Sequence, residues 1–484
     1  MVHRYPGESP DHCHLSTRSV GYRPPRMQER DPDRYRVVGL PAAVGVIVAA
    51  TVGSGIFSVT GQFGAQAGSD TNVLVPWVVG GLVALCGGLS LAELGAMIPC
   101  SGGSVEFARR AFGPTVGYLV AMVTLLAGYV FSIAVVGLFL AEYVDRLVPG
   151  DWPNHAIAAA AIAAAFGSQL PSLRAGYGFN TVLAAVKVAT VAAFAVAGML
   201  VTVEGRLEAP AGAPAPPGLL SPAVAAATLS VSFAYLGWST GADIAGEVRD
   251  PGRTVPRSIV VAIAIVFLLY VGVNLAFLRA IAPAAMTDGS GGPMEAIGSV
   301  AAGILFGPQV GAAMTGLIAL LLFSTLVSST IAGTRIMESM AQAHELPAWI
   351  AVRPARGVPA RAIALLAAAG IASLAIGSLG QILDLLTVLV NAFSAMSVAA
   401  VIVLRRTMPD APRPFRVPLY PFTPLLYMAL AGWTIVAGAL AGGVRALVAS
   451  AVTVVLLLAL RPLVAARRVT TSGSSAPGTR PAGG

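Results

Sequence analysis

Apolar runs of about twenty residues, parted by short polar and arginine-bearing segments, fill the chain from residue 37 to residue 466. A helix needs about 20 mostly apolar residues to cross the hydrocarbon of a bilayer. On that rule the pattern predicts twelve spanning helices, at 37–61, 73–98, 115–141, 155–170, 179–203, 221–246, 257–280, 298–344 (one long or broken helix), 361–379, 381–404, 422–441 and 443–466. The predicted class is an all-α integral membrane protein. Outside the helices lie a polar, charged tail over 1–36, an outer loop over 204–220 and a Ser/Gly/Pro-rich tail over 467–484, and both tails read as disordered.

Two of the twelve runs break the pattern. The first carries Gly53-Ser54-Gly55 at its middle, and the sixth carries Gly237 and Gly241 among Ser232, Ser239 and Thr240. Glycine costs about 1 kcal/mol against alanine inside a helix, and clusters of it let the backbone unwind. Unwound backbone at membrane depth survives only where protein buries it or where it lines a cavity. Interrupted helices at positions one and six predict two five-helix repeats of inverted topology, over 37–203 and 221–404, with a ligand between the breaks. An inner loop and two further helices follow over 405–466. Small-residue packing faces are the alternative reading of such glycines, and a matched pair of breaks favours the site.

Charge sets the orientation. Of 29 arginines, 24 fall in the tails and the loops on one side, four (Arg146, Arg206, Arg279 and Arg445) fall on the other, and Arg335 lies within a helix. Repeated over every loop, this is the positive-inside distribution, and it predicts cytoplasmic termini in a multi-pass protein of the cell membrane. The formal charge of +8 therefore reflects topology and implies no nucleic-acid partner. Charged residues make up only 11% of the chain against 56% hydrophobic, where a soluble protein would carry roughly a quarter charged. Three cysteines give no disulfide framework, so no disulfide-linked accessory subunit is implied. His12-Cys13-His14 is the one metal-like cluster, and its polar tail argues against a metal site.

The chain holds a single lysine, Lys187, inside the apolar run Thr181–Phe194. Lysine can release its proton when desolvated and arginine cannot. An ionisable group at membrane depth marks an ion path or a site by default; snorkelling to the interface is the plainer alternative.

Gly53-Ser-Gly-Ile-Phe57 resembles the first-span motif of the amino acid–polyamine–organocation (APC) transporter family. Glu93-Leu-Gly-Ala-Met-Ile-Pro99, Ser101-Gly-Gly103 and Ala111-Phe-Gly-Pro114 are similar to the loop after its second span. Phe233-Ala-Tyr-Leu-Gly-Trp238, Glu247-Val-Arg-Asp-Pro251 and Thr254-Val-Pro-Arg257 resemble its sixth span and the loop beyond. Ser328–Arg335 with Leu346-Pro347, and Arg405–Pro409 with Arg413–Pro418, match the exits of the eighth and tenth spans. The resemblance implies an amino acid permease with the leucine-transporter (LeuT-like) 5+5 fold plus two C-terminal helices. It also places Lys187 where many proton-linked or sodium-independent members carry a fifth-span lysine. Position 236 is Leu where many members have Gly, which implies a narrower pocket.

An amino acid brings a carboxylate and an ammonium, and a broken helix offers partners for both without side-chain charge. Free N–H groups at the start of the inner half of the first span, at Ser54, Gly55 and Ile56, are the expected carboxylate donors. Carbonyls ending the outer halves, near Val52 and Gly53 and at Phe233, Ala234 and Tyr235, are the expected ammonium acceptors. Phe233, Tyr235, Leu236, Gly237 and Trp238 are expected to shape the side-chain wall. The family resemblance assigns Lys187 the position of a sodium ion, donating to carbonyls near Ala49–Gly53 and to Ser328 or Ser329, with the proton as candidate coupling ion. The two hydroxyls read equally well as bonded to their own helix.

The expected function is secondary transport of a neutral amino acid by alternating access, with no cofactor, no metal and no catalytic set. A polyamine carrier would need a carboxylate in the pocket, and neither break contains one. Exchange in place of net uptake is compatible with the same pattern, and a non-transporting membrane sensor is the rival from another class.

Overall fold

The computed structural model describes residues 36–472 apart from 37, 54, 101, 149, 151, 171, 172, 204, 289, 344, 352–358 and 443. Ser54 and the His12-Cys13-His14 cluster lie outside the described residues. The helices, in order, are Leu40–Thr51 (α1), Gly55–Ala67 (α2), Asp70–Met97 (α3), Gly103–Phe112 (α4), Pro114–Leu125 (α5), Ser132–Leu147 (α6), Asn154–Gly167 (α7), Leu173–Leu200 (α8) and Pro222–Ala234 (α9). Then come Thr240–Asp243 (α10), Pro251–Ala280 (α11), Ile297–Phe306 (α12), Pro308–Gln342 (α13), Ala360–Ser373 (α14), Leu379–Thr407 (α15), Phe422–Gly442 (α16) and Arg445–Ser472 (α17). Among the described residues there is no strand; only isolated bridges occur, such as Val38 with Val248.

Among the described residues, five helical stretches are long and apolar enough to cross a membrane: α3, Pro114–Leu147, α11, Pro308–Ala341 and α15. The pair α1 and α2, bent by 40° at its break, counts as a sixth. Pro114–Leu147 is continuous because a π-helical turn at Leu126–Phe131 joins α5 to α6. The predicted 298–344 element is two helices, since Gly307 at φ +92° ends α12 and Pro308 starts α13.

Local chemistry fixes many of the boundaries. Ser69 caps α3 by accepting from the Asn72 amide at 3.2 Å, and Ser221 caps α9 by accepting from Val224 at 3.4 Å. Ser378 and Gln381 form a reciprocal capping box at the start of α15.

The two predicted breaks are present. α1 ends at Thr51 and α2 starts at Gly55. α9 ends at Ala234, and the chain turns through Gly237, at φ +115°, into the short α10. One orientation is corrected by chain direction. The chain enters α1 from the arginine-rich end, which the charge pattern predicts to be the inner one; on that orientation the amides of Gly55 and Ile56 open the half beyond the break, not the inner half, and the carbonyls near Val52 close the inner one.

Candidate functional site

The two breaks lie against each other. A Cβ built on Gly55 would meet Ala234 Cβ at 2.6 Å and its Cα at 2.7 Å. A Cβ on Gly237 would meet the carbonyl carbon and oxygen of Ala50 at 2.8 Å. Each break thus needs its glycine at the point where the other helix passes, and Gly237 also needs its positive φ. Val52 and Ile56 are fully buried, and Phe233, Ala234, Tyr235 and Trp238 are buried too.

Tyr270 of α11 ties the breaks together. Its hydroxyl lies 2.8 Å from the carbonyl oxygen of Thr51 and 2.8 Å from that of Ala234, so one donor serves the last carbonyls of both half-helices. Those carbonyls have lost their own helix's next turn, and a buried acceptor left without a donor is costly. Around Tyr270 the packing is aromatic and hydrogen-bonded. Its ring is 5.3 Å from Trp77 and 5.0 Å from Tyr235. Thr60, one turn beyond Ile56 on α2, donates to Asn274 Oδ1 at 2.5 Å and accepts from Trp77 Nε1 at 3.1 Å. α2, α3 and α11 are thereby locked together beside the first break.

The expected side-chain wall divides. The Tyr235 hydroxyl donates to the Trp77 carbonyl at 3.0 Å, and Trp238 packs on Tyr427 at 5.7 Å between ring centres. Tyr235, Leu236 and Trp238 line a cavity of about 20 Å³ shared with α3, α15 and α16, large enough for one water. Ser232 and Asn391, bonded at 2.6 Å, supply polar groups to it.

Lys187 is enclosed, with 4% of its surface exposed. Its helix α8 packs on α1, α11 and α13, so the ammonium sits on the element that touches both the first and the eighth predicted spans. On α13, the Ser328 hydroxyl donates to the Ser324 carbonyl and the Ser329 hydroxyl to the Thr325 carbonyl, each at 2.9 Å. Both donor protons are therefore used within the helix, which leaves these oxygens the role of acceptors.

The arginine-rich face is laced shut around the breaks. Val38 donates to the Glu247 carbonyl at 3.0 Å and Arg249 to the Val38 carbonyl at 2.9 Å, stitching the entry of one broken span to the exit of the other. Asp243, at the end of α10, accepts from the Ser104 amide and hydroxyl at 3.0 and 2.7 Å. Glu93, fully buried at the end of α3, accepts from Arg405 Nε at 2.8 Å and the Val417 amide at 2.7 Å, with Arg413 Nε at 3.4 Å. Both arginines lie more than three hundred positions from Glu93 in the sequence.

A family model described as amino acid permease matches residues 38–460. The chain belongs to the amino acid permease family. Among similar proteins, the large neutral amino acids transporter small subunit 2 of Mus musculus is 28% identical over 406 residues, covering 81% of this chain and 75% of that protein. The serine/threonine exchanger SteT of Bacillus subtilis (strain 168) is 26% identical over 408 residues, covering 83% and 91%. The b(0,+)-type amino acid transporter 1 of Mus musculus is 28% identical over 410 residues, covering 83% and 82%. Such relatives are transporters and exchangers of amino acids. This permease is accordingly a membrane transport protein for amino acids.

Sequence reasoning missed Tyr270, Asn274, Thr60 and Trp77. A signal existed for one of them. Asn274 is an amide near the end of the apolar run Ile259–Phe277, where a polar side chain must find a partner.

Proposed function

We propose that the permease is a secondary active transporter of neutral amino acids. Twelve spans, built as two inverted five-helix repeats plus two helices, would carry the substrate across the cell membrane by alternating access, with both termini cytoplasmic. The observation that supports this most is the apposition of the two breaks. The amide end of α2, at Gly55 and Ile56, faces the carbonyl end of α9, at Phe233, Ala234 and Tyr235. A carboxylate at the first and an ammonium at the second fit a zwitterion's two ends. Ser54 adds its amide and hydroxyl to the first group in this reading, and Val52 and Gly53 add carbonyls to the second.

The breaks touch at Gly55–Ala234 and Gly237–Ala50, so substrate must part them locally while Tyr270 goes on tying the two half-helices together. The neutral preference follows from the acidic groups. The carboxylate nearest the sixth-span break, Asp243, is engaged by Ser104, and a second substrate ammonium would enter a buried site without a counter-charge. Lys187 stands in for a sodium ion between α1 and α13, with the proton as coupling ion. Cys86 and Cys100 are buried thiols, and the proposed unit works without a disulfide-linked partner.

A second reading, exchange of one amino acid for another, is favoured by the exchanger among the relatives. A thermal-shift screen of the purified permease against amino acids and polyamines identifies the substrate, since a ligand of the folded state raises its stability. Labelled uptake into proteoliposomes then follows, with putrescine and spermidine as competitors. Competition by neutral amino acids alone is expected; competition by a polyamine where neutral amino acids fail reverses the assignment. Uptake that requires an internal amino acid identifies exchange.

A further inference from the structure

On the face opposite the arginine-rich loops, the ends of α3, α8 and α11 leave a crevice of about 600 Å³ that the transport site does not use. Its walls carry Leu74, Val203 and Leu278, and its rim carries Asp70, Arg206 and Arg279. This is the size of a small-molecule site, yet it lies at the edge of the helix bundle.

Two features of the arginines point to an anion. Arg279 caps the end of α8 with three of its five N–H groups, on the neutral carbonyls of Gly198, Met199 and Val201. That fixes the guanidinium at the crevice on the carbonyl end of α8, with no carboxylate partner among the described residues. Arg206 donates from Nη2 to Asp70 Oδ1 at 2.9 Å, but its Nε is buried with no hydrogen-bond partner among the described residues. A buried charged donor without an acceptor is costly, so the partly exposed Arg206 guanidinium gains by turning toward an acceptor that the crevice admits.

The apolar neighbours point to a lipid. Val78 lies one turn from Leu74 on α3, and Leu268 lies two turns from Leu275, another wall residue, on α11. Both are exposed, at 46% and 69%, as are Val196 at 60% and Leu200 at 80% on α8. In a membrane protein such side chains face acyl chains. An apolar track therefore runs from the bilayer up to a pair of arginines at headgroup height. Asp70, whose side chain is half exposed beside Arg206, adds an acceptor for a cation next to the anion's place.

From this juxtaposition we infer that the crevice binds a zwitterionic phospholipid with a primary ammonium headgroup, its phosphate on Arg206 and Arg279 and its ammonium on Asp70. Charge-assisted hydrogen bonds hold the headgroup, and the apolar wall holds the upper acyl chain. The site is separate from the breaks, so its occupancy is independent of the substrate assignment.

Native mass spectrometry of the full-length permease in detergent, with equimolar phosphatidylethanolamine and phosphatidylglycerol, tests this. One retained phosphatidylethanolamine is expected, and Arg206→Gln should lower its retention about tenfold, the loss of one charge-assisted contact. Thr202→Trp, which fills the mouth of the crevice from an exposed position, should lower it similarly. Asp70→Asn should abolish the preference between the two lipids while keeping one lipid bound. Unfolding temperature in lipid-free detergent serves as the folding control for all three. Retention in Arg206→Gln and Thr202→Trp equal to wild type overturns the site. So does displacement of the lipid by millimolar inorganic phosphate, which would make it a free-anion site, or a wild-type preference for phosphatidylglycerol.

Discussion

Gly55, the first residue of α2, lies so close to Ala234, the last of α9, that a Cβ on the glycine would fall 2.7 Å from the alanine's Cα. The ends of two different broken helices thus occupy contact distance, with the amide end of one against the carbonyl end of the other. Because the close contact includes backbone and not only the Ala234 methyl, side-chain trimming cannot relieve it. Gly55→Ala is expected to abolish uptake in proteoliposomes, and Ala234→Gly in the same chain should restore little of it. Full rescue by Ala234→Gly would mean that only the two methyls collide and that the backbones are free to separate.

Tyr270 gives a second test of the same geometry. Tyr270→Phe keeps the ring's edge-to-face contacts with Trp77 and Tyr235 and removes only the hydroxyl shared by the Thr51 and Ala234 carbonyls. Unpaired buried acceptors cost about 1–3 kcal/mol, which corresponds to a loss of about 5- to 150-fold in kcat/KM if the bond matters for transport. Uptake kinetics alongside thermal unfolding separate the two contributions. A variant with wild-type kcat/KM would remove Tyr270 from the mechanism.

Away from the membrane core, Glu295 in the segment before α12 gives a pH signature. Burial pushes its carboxyl above the usual carboxylate range and outweighs hydrogen bonding by Gln62, with smaller upward pressure from Glu142 and Asp288. A raised folded-state value means that folding favours the protonated form. Its contribution is fully present below the unfolded value, near 4.3, and is lost as pH rises through the folded one. Glu295→Gln should therefore match wild type in melting temperature at about pH 4 and exceed it at neutral pH. A constant difference across that range would show that Glu295 does not titrate in this window.

The breaks are legible in the sequence because a helix interruption is written in residue type. Gly53, Gly55 and Gly237 stand in otherwise apolar runs, and the structure uses each where backbone turns or where another helix passes. Tyr270 is not legible, since an aromatic in an apolar run reads as core and nothing local reveals that it reaches two carbonyls 219 and 36 residues away. The same holds for Glu93, whose partner Arg405 is 312 positions distant. Ser328 and Ser329 carry an ambiguous signal of another kind. A hydroxyl bonded to its own helix can still accept from Lys187, and composition does not separate the two roles. Direction along the first span also matters, because it decides which half owns the amides of Gly55 and Ile56.

The central claim, an amino acid transporter that holds a lysine ammonium where a sodium ion would sit, is tested most directly in one set of vesicles. Uptake of the substrate found by thermal shift is measured with and without sodium, between about pH 5 and 8, for wild type, Lys187→Ala and Lys187→Arg. Wild type should transport without sodium, and Lys187→Ala should lose most activity if the ammonium is the proposed donor to the carbonyls near Gly53, at about 1–3 kcal/mol for each left unpaired. Any residual uptake of the alanine variant should have lost its pH dependence. Lys187→Arg should also be poor, since a planar guanidinium that keeps its proton cannot replace a compact ammonium. Sodium-dependent wild-type uptake, or an arginine variant as active as wild type, would contradict it.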